Sequence, residues 1–212
     1  MNTGKLTVFG HPMSTCTRKV LTTLVEKGQA YDFTMVDIMK GEAKKPEYLA
    51  RHPFGVVPLL QDGDFELYES RAIMRYLDAR ASGPALTPAN LQDRGRMEQF
   101  ISIEHSYFSG PAMRIVFQNL FIPMGGGTPS QEIIDKARAE LARPLGVMDK
   151  ALGQRAYLAG DDFSLAEITY MPYIEYLFAA KAGDLITEHA HVAAWWTRIS
   201  ERASWQKVAR GK

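Results

Sequence analysis

The alternation of apolar and polar positions in the first third of the chain predicts an α/β unit. LTVF (6–9) is a short apolar run that ends at a glycine, which predicts a strand. From Thr15 to Gly28 apolar residues recur every three or four positions, which predicts a helix with the glycine as its C-terminal cap. YDFTMVDI (31–38) predicts a second strand. A strand, a helix and a strand in this order favour parallel pairing through a right-handed crossover.

The next stretch predicts a hairpin followed by a helix. In VPLLQDGDFELYE (57–69), two apolar runs flank an Asp-Gly pair, which is a strong turn signal. SRAIMRYLDAR (70–80) has helical spacing, and we expect Ser70 to be its N-cap. The order βαβ and then ββα is that of a thioredoxin-like domain. We therefore assign residues 1–80 to an α/β N-terminal thioredoxin-like domain.

Beyond residue 80 the pattern is helical. ASGPALTPAN (81–90) places two prolines and a glycine between periodic segments, which indicates a linker. Residues 91–212 predict an all-α C-terminal domain, whose first long helix we expect to bend at Gly110-Pro111. In FSLAEI, Ser164 and Glu167 have the spacing of a capping box at the start of another helix.

Composition and charge exclude several kinds of partner. The 212 residues carry 25 basic and 24 acidic side chains, so the basic footprint of a nucleic-acid-binding protein is missing. One cysteine excludes an internal disulfide framework and a CxxC redox pair. No apolar run approaches the ~20 residues that span a bilayer, and the start lacks a secretory apolar region. We expect a soluble, cytoplasmic protein with no nucleic-acid or membrane partner.

Two other patterns are weak as binding sites. His189 and His191 lie two positions apart without a cysteine or carboxylate in a metal-binding spacing. Gly125 to Gly127 lack the GK[ST] sequence that completes a phosphate-binding loop. We expect no metal and no cofactor.

The densest candidate chemistry lies in HPMSTCTRKV (11–20), where the first strand leads into the first helix. Ser14 directly precedes that helix, so its hydroxyl suits an N-cap or a donor to an anion at the positive helix end. Cys16 lies ~200° around the helix axis from Ser14, on the side of the apolar residue Val20. We expect Cys16 to be a half-buried structural thiol rather than a catalytic group.

Four segments together resemble the cytosolic glutathione S-transferases, in particular their phi-like branch. They are HPMSTCTRKVL (11–21), HPFGVVPLLQDGDFELYESRAIMRYL (52–77), FSLAEITYMPYIEYL (163–177) and HVAAWWTRISERASWQKV (191–208). The resemblance covers nearly the whole chain. It implies a glutathione site in the thioredoxin-like domain, an acceptor-substrate pocket between the domains, and a homodimer. Glutathione would be a co-substrate and not a bound cofactor.

The resemblance implies that Ser14 is the catalytic residue. A free thiol of this type has a pKa of ~8.5, so the site must stabilise the sulfur as an anion. A hydrogen bond to a charged group contributes roughly 1.5–3 kcal/mol, and a helix N-terminus adds ~0.3–1 kcal/mol. A hydroxyl at Ser14 could thus keep the bound thiol largely ionised, with Thr15 as a reserve donor.

Further residues implied to bind glutathione lie in the hairpin region. Val57-Pro58 matches the family's cis-proline dipeptide, whose backbone pairs with the cysteinyl part of glutathione; an ordinary trans proline is the alternative. Glu69 and Ser70 match the pair that holds the ammonium and the carboxylate of the γ-glutamyl end. Free N–H groups at a helix start suit that carboxylate.

The glycyl end of glutathione is where this chain departs from the phi-like pattern. Ala43 stands where that pattern has a histidine, and Val56 where it has a glutamine. Lys44 remains as the partner of the glycyl carboxylate, with Lys45 and His52 as weaker helpers. Losing two polar contacts would weaken glutathione binding or change the thiol ligand.

Bulky residues are candidates for the acceptor pocket. His11 and Met13 flank Ser14, and three residues of the long helix complete the set. They are Phe108, Met113 and Phe117, with Tyr107 and Phe121 nearby. Ordinary helix-bundle core is the alternative for each of them. Phe54 matches an aromatic that plugs the neighbouring subunit, and a local core role is the alternative.

The resemblance favours an enzyme that conjugates glutathione to small hydrophobic electrophiles, with reduction of organic hydroperoxides as a side activity. Two other functions stay open. The triplet STC (14–16) also resembles zeta-class relatives, which suggests glutathione-dependent cis–trans isomerisation. Ala43 and Val56 instead support a non-catalytic ligand-binding protein on the same scaffold.

Overall fold

The computed structural model describes residues 5–209, which form two units. The first unit runs to Ala85 and also takes in the chain from Ala203; the second is Leu86–Arg202. We expected the helical domain to continue to residue 212, whereas in the structure the residues from Ala203 group with the first unit. Trp205 is buried under the guanidinium of Arg18, 4.5 Å from its ring centre, so the last helix packs with the first unit.

A mixed four-stranded sheet forms the centre of the first unit. Its strands are β1 Leu6–Gly10, β2 Asp32–Met35, β3 Leu59–Asp62 and β4 Phe65–Tyr68, in the order β2-β1-β3-β4. β1 and β2 are parallel, whereas β3 is antiparallel to β1 and to β4. The predicted thioredoxin-like order is confirmed. β2 is shorter than the predicted 31–38 because it lies at the sheet edge, exposed along its length.

Helices cover both faces of this sheet. They are α1 Thr15–Glu26, α2 Pro46–Leu49, α3 Ser70–Arg80 and α11 Ala203–Ala209, with a 3₁₀ turn at Glu42–Lys44. Alternate strand residues point to opposite faces, so Val8 and Leu60 pack with α1 and α3 while Leu59 packs on the α2 side. The predicted glycine cap of α1 is confirmed: Gly28 has φ 61°, and the N–H of Gln29 donates to the Leu24 carbonyl at 2.9 Å.

The second unit is helical, as predicted. Its α-helices are α4 Leu91–Ile103, α5 Ser109–Val116, α6 Ile122–Met124, α7 Gln131–Leu152, α8 Leu165–Ala179, α9 Asp184–Thr187 and α10 Ala190–Ser200. Two π turns, Glu104–Phe108 and Phe117–Phe121, join α4, α5 and α6 into one continuous helix. The chain stays helical through Gly110 and Pro111, and the irregularity lies just before them. The wider turn makes room for Pro111, which lacks an N–H to donate.

The predicted capping box at the start of α8 is confirmed. The Glu167 carboxylate accepts from the Ser164 N–H at 3.0 Å and from its hydroxyl at 2.7 Å, and also from the Leu158 N–H at 2.7 Å. Burial raises the pKa of Glu167, against these hydrogen bonds, which lower it. Within residues 5–209, no helix has the length and hydropathy to cross a membrane.

Candidate active site

Ser14 occupies the N-cap of α1. Its backbone is extended, with φ −72° and ψ 123°, and its Oγ accepts from the Thr17 N–H at 3.2 Å. A hydroxyl has one proton to donate and two lone pairs, so this cap leaves the proton of Ser14 unused. Capping and donation to a bound anion are therefore compatible, although the sequence presented them as alternatives.

Local contacts hold the turn before α1 in place. The Ser14 N–H donates to the His11 carbonyl at 2.9 Å, and His11 Nδ1 accepts from the Met13 N–H at 3.2 Å. That bond places the ring proton of neutral His11 on Nε2. Gly10 is required at the end of β1, because a Cβ there would lie 2.5 Å from Cγ2 of Thr17. The turn between β1 and α1 is therefore held by its own hydrogen bonds and by the close approach of Gly10 to Thr17.

The partial positive charge at the start of α1 is not offset by an acidic side chain in its first turn. The first turn carries no acidic side chain, so no carboxylate offsets the partial charge of the free N–H groups. Cys16 is half-buried, as expected for a structural thiol. An anion beside Ser14 would therefore meet a hydroxyl donor and a favourable helix end together.

A second helix start lies at Glu69-Ser70. Glu69, and not Ser70, is the N-cap of α3, so the predicted cap assignment is wrong; Ser70 is the first helical residue and is buried. Glu69 has φ 71° and makes no side-chain capping bond. A non-glycine residue in this region costs about 1–3 kcal/mol, and such residues cluster at functional sites. The first N–H groups of an α-helix have no partner within the helix, so the start of α3 suits a carboxylate.

The segment before β3 has the geometry that the resemblance implied. The Val57-Pro58 peptide bond is cis. Lys44 is exposed, and its ammonium donates to the Phe54 carbonyl at 3.1 Å, which uses one of three donors. Phe54 itself is 64% exposed, so its alternative role in the local core is wrong.

The sheet brings these three segments to one edge. Its register aligns Phe9, Leu59 and Tyr68 in a row across β1, β3 and β4. The α1 turn, the cis peptide and the α3 turn all adjoin this row, because β3 runs antiparallel to both neighbours. Strands are spaced by ~4.8 Å, so the row spans roughly 10 Å, within the reach of a tripeptide.

Family models match both halves of the chain. The "Glutathione S-transferase, N-terminal domain" matches residues 4–79, and the "Glutathione S-transferase, C-terminal domain" matches residues 103–203. The chain belongs to the glutathione S-transferase family. The family prediction made from the four sequence segments is confirmed.

Glutathione S-transferases of plants resemble the whole chain. "Glutathione S-transferase F10" of Arabidopsis thaliana is 39% identical over 208 residues, which cover 96% of each chain. The crystal structure of glutathione transferase F7 from Populus trichocarpa superposes with a TM-score of 0.92 at 38% identity, covering 97% of this chain and 98% of that one. Glutathione S-transferase I from maize, solved with an atrazine glutathione conjugate, gives 0.90 at 36% identity, covering 98% and 97%. These F-class relatives support the phi-like assignment.

The two positions that depart from the phi-like pattern, Ala43 and Val56, differ in burial in this glutathione S-transferase. Ala43, the middle residue of the 3₁₀ turn, is buried in the core, whereas Val56 is 47% exposed. His52 is only 1% exposed, so its ring is not placed to contact a ligand directly. The Lys45 ammonium lies 4.0 Å from the Glu42 carboxylate, so Lys44 is the better placed cation for the glycyl carboxylate.

The five candidates for the acceptor pocket divide between the two units. His11 is buried beside Ser14, and Met13 is 44% exposed. In the second unit Met113 is half-buried and Phe117 is 52% exposed. Phe108 is completely buried, edge-on to Tyr170 at 5.0 Å and to Tyr173 at 6.5 Å. Phe108 is therefore a core residue and not a pocket residue, which was the alternative given for it from the sequence.

The helical unit also carries a groove that the sequence did not predict. Its volume is about 750 Å³, and Tyr107, Arg143 and Val147 are among the residues that line it. None of the five candidate pocket residues does. Its lining comes from α4, α5, α7 and the π turn between α4 and α5, so no contiguous motif could have revealed it.

Proposed function

We propose that the protein is a glutathione transferase that adds the glutathione thiolate to small hydrophobic electrophiles, with Ser14 as the catalytic residue. One observation carries the proposal: Ser14 caps α1 through an oxygen lone pair and keeps its proton at a helix start without acidic neighbours. The names and ligands of the relatives, including the atrazine glutathione conjugate, support the choice of glutathione.

In this mechanism the Ser14 hydroxyl donates to the glutathione sulfur and stabilises it as a thiolate. A charge-assisted hydrogen bond of roughly 1.5–3 kcal/mol lowers the pKa of a thiol by about one to two units. The positive end of α1 contributes in the same direction. The thiolate then attacks an electrophilic carbon, forming a C–S bond while the leaving group departs or the conjugate takes up a proton.

The remaining residues orient the tripeptide in this proposal. The backbone of Val57, before Pro58, pairs with the cysteinyl part. The open N–H groups of α3 and Ser70 take the γ-glutamyl carboxylate, while Glu69 takes the ammonium. Lys44 takes the glycyl carboxylate with the two donors that Phe54 leaves free. Met13 presents an adaptable apolar surface beside the sulfur for the electrophile.

Steady-state rates with a chlorodinitrobenzene-type acceptor test this role of Ser14. We expect Ser14→Ala to lose about 10²-fold or more in turnover, as when a donor to a developing oxyanion is removed. Cys16→Ala, two residues on and on the other side of the helix axis, is the matched control and should keep most of the activity. Loss of turnover in the Cys16 variant with a mild Ser14 effect would instead assign the chemistry to the protein thiol. An isomerase would convert a maleyl diketone without consuming glutathione.

We also propose that the enzyme is a cytoplasmic homodimer in which Phe54 contacts the other subunit. The support is an aromatic ring that is 64% exposed on a tight turn, where Gly55 has φ +58° and no room for a Cβ. Light scattering checks this: we expect a dimer for the parent and a shift toward monomer for Phe54→Ala. A monomeric parent would contradict the proposal.

A further inference from the structure

His52 is a buried histidine that the reaction does not use. Its side chain is 1% exposed, and its Nδ1 has no hydrogen-bond partner among the described residues. Buried polar atoms are nearly always satisfied, because an unpaired one costs free energy. Other contacts must therefore hold the ring where it is.

Those contacts come from three aromatic side chains. The His52 ring stacks on Tyr68, with 4.6 Å between centroids and 26° between planes, and more distantly on Tyr48 at 6.1 Å and 21°. Phe54 meets it edge-on at 6.3 Å. We call these four residues the His52 cluster. Offset stacks and edge contacts of this kind are favourable beyond the area that they bury.

The His52 cluster joins the two ends of the proposed glutathione site. Tyr68 is the residue immediately before Glu69, whose strained backbone starts α3. On the other side, the Phe54 carbonyl accepts from the ammonium of Lys44 at 3.1 Å. The charges of both Glu69 and Lys44 act on the His52 ring. One ring thus lies between the turn for the γ-glutamyl end and the turn for the glycyl end.

Only the neutral ring fits this arrangement. An imidazolium donates from both nitrogens, and Nδ1 has no hydrogen-bond partner among the described residues, so protonation would bury a poorly paired donor and a charge. Burial lowers the pKa of His52; the Glu69 charge and a hydrogen bond with the backbone of His52 raise it, and the Lys44 charge lowers it further. Burial, against the charge of Arg51, raises the pKa of the neighbouring Tyr48 to about 12. Histidine is the residue type in the His52 cluster whose ordinary pKa, about 6.5, lies closest to neutral pH.

We propose that neutral His52 is a positioning residue for glutathione: it holds the Lys44 turn and the Glu69 turn at the separation that the tripeptide needs, and its protonation releases them. This inference rests on the proposed function. Because binding would favour the neutral ring, affinity for the tripeptide is full above the ordinary histidine pKa of about 6.5 and is lost as the pH falls through the lowered pKa.

Binding of S-methylglutathione, measured by calorimetry at about pH 7.5 and about pH 5, tests the proposal. This probe keeps both carboxylates and the ammonium of glutathione but has no thiol to titrate. For the parent protein we expect Kd to rise about threefold to tenfold at the lower pH, the factor that one aromatic contact is worth.

Two variants separate the ring's shape from its titration. His52→Phe keeps a stacked ring that takes no proton, so its Kd should stay within about twofold of the parent's pH 7.5 value at both pH values. His52→Ala removes the stack, so its Kd should rise about threefold to tenfold at both pH values alike. His191→Phe, at an exposed histidine of the second unit, is the matched control and should keep the parent's pH dependence.

The outcomes also distinguish this proposal from the function on which it rests. A Phe variant that still weakens at low pH places the titration at another group and overturns the inference. So does an Ala variant that binds as the parent does; this second result decides the matter if the Phe variant does not fold. If the parent binds S-methylglutathione and turns over substrate, but the histidine variants bind the probe as the parent does, only this inference is overturned and the proposed function stands. A parent that does not bind the probe at about pH 7.5 overturns both.

Discussion

At the scale of single residues, Ser14 combines two functions that draw on different atoms of one hydroxyl. The oxygen accepts from the Thr17 N–H, and the proton remains for a ligand. The cap also explains why the residue stays in place without substrate, since its rotamer is set by a bond within α1. A structural role and a proposed catalytic role therefore support each other here.

Replacing Ser14 by aspartate separates these two functions. Aspartate caps helices about as well as serine, so Ser14→Asp should keep the free energy of unfolding within about 0.5 kcal/mol of the parent. An ionised carboxylate has no proton to donate and repels a thiolate, so we expect turnover to fall at least as far as in Ser14→Ala. Ser14→Ala should lose about 1 kcal/mol of stability as well. Denaturant unfolding and initial rates on the same samples measure both, and an active aspartate variant would refute the donor role.

At the scale of elements, the start of α10 depends on a side chain far away in sequence. α10 begins at Ala190, and its own N-cap residue, His189, offers no side-chain bond. Asp149 on α7 accepts instead from the N–H groups of His191 at 2.9 Å and Val192 at 3.2 Å. A helix of the second unit is thus capped from another helix, which also fixes the position of the two helices relative to each other.

Removing this distant cap should destabilise the second unit. We expect Asp149→Ala to lower the free energy of unfolding by about 0.5–2 kcal/mol, the range for a lost N-cap, with little change in glutathione turnover. Asp161→Ala, at an exposed aspartate in the loop before α8, is the matched control and should stay within about 0.5 kcal/mol of the parent. Equal effects of the two changes in urea unfolding would argue against the capping role.

At the scale of the whole molecule, both ends of the chain contribute to the first unit. α11 follows the helical unit in sequence but packs on α1, where Trp205 is buried and lies against Arg18. The hydroxyl of Ser204 donates to the Glu26 carboxylate near the other end of α1. The helix that carries Ser14 at its start is therefore stabilised by the last described residues of the protein.

Truncating the buried indole tests this dependence. Trp205→Ala should lower the free energy of unfolding of the first unit by about 3–5 kcal/mol, the usual result for an aromatic core residue. Lys207→Ala, two residues on and exposed, should have an effect within about 0.5 kcal/mol. Thermal unfolding followed by far-UV circular dichroism, which monitors backbone secondary structure and not tryptophan fluorescence, measures the difference. A tryptophan variant as stable as the lysine variant would show that α11 is dispensable.

Much of the fold was predictable because local rules agreed with one another. The strands β3 and β4 around Asp-Gly, the glycine cap of α1 and the capping box of α8 all follow from residues within a few positions of each other. Ser14 was also identifiable, since it lies between a strand and a helix. Cap assignment failed at Ser70, because the strained backbone of Glu69 is a property of the folded turn.

The sequence by itself determined the order of strands and helices and the position of the hydroxyl, because periodicity and capping act over a few residues. It also identified the family, through the resemblance of four segments. The tertiary structure alone decided that Phe108 is core and Phe54 is exposed, that α11 belongs to the first unit, and that His52 is buried among aromatic rings. Burial and stacking join residues that are distant along the chain, so no local pattern encodes them.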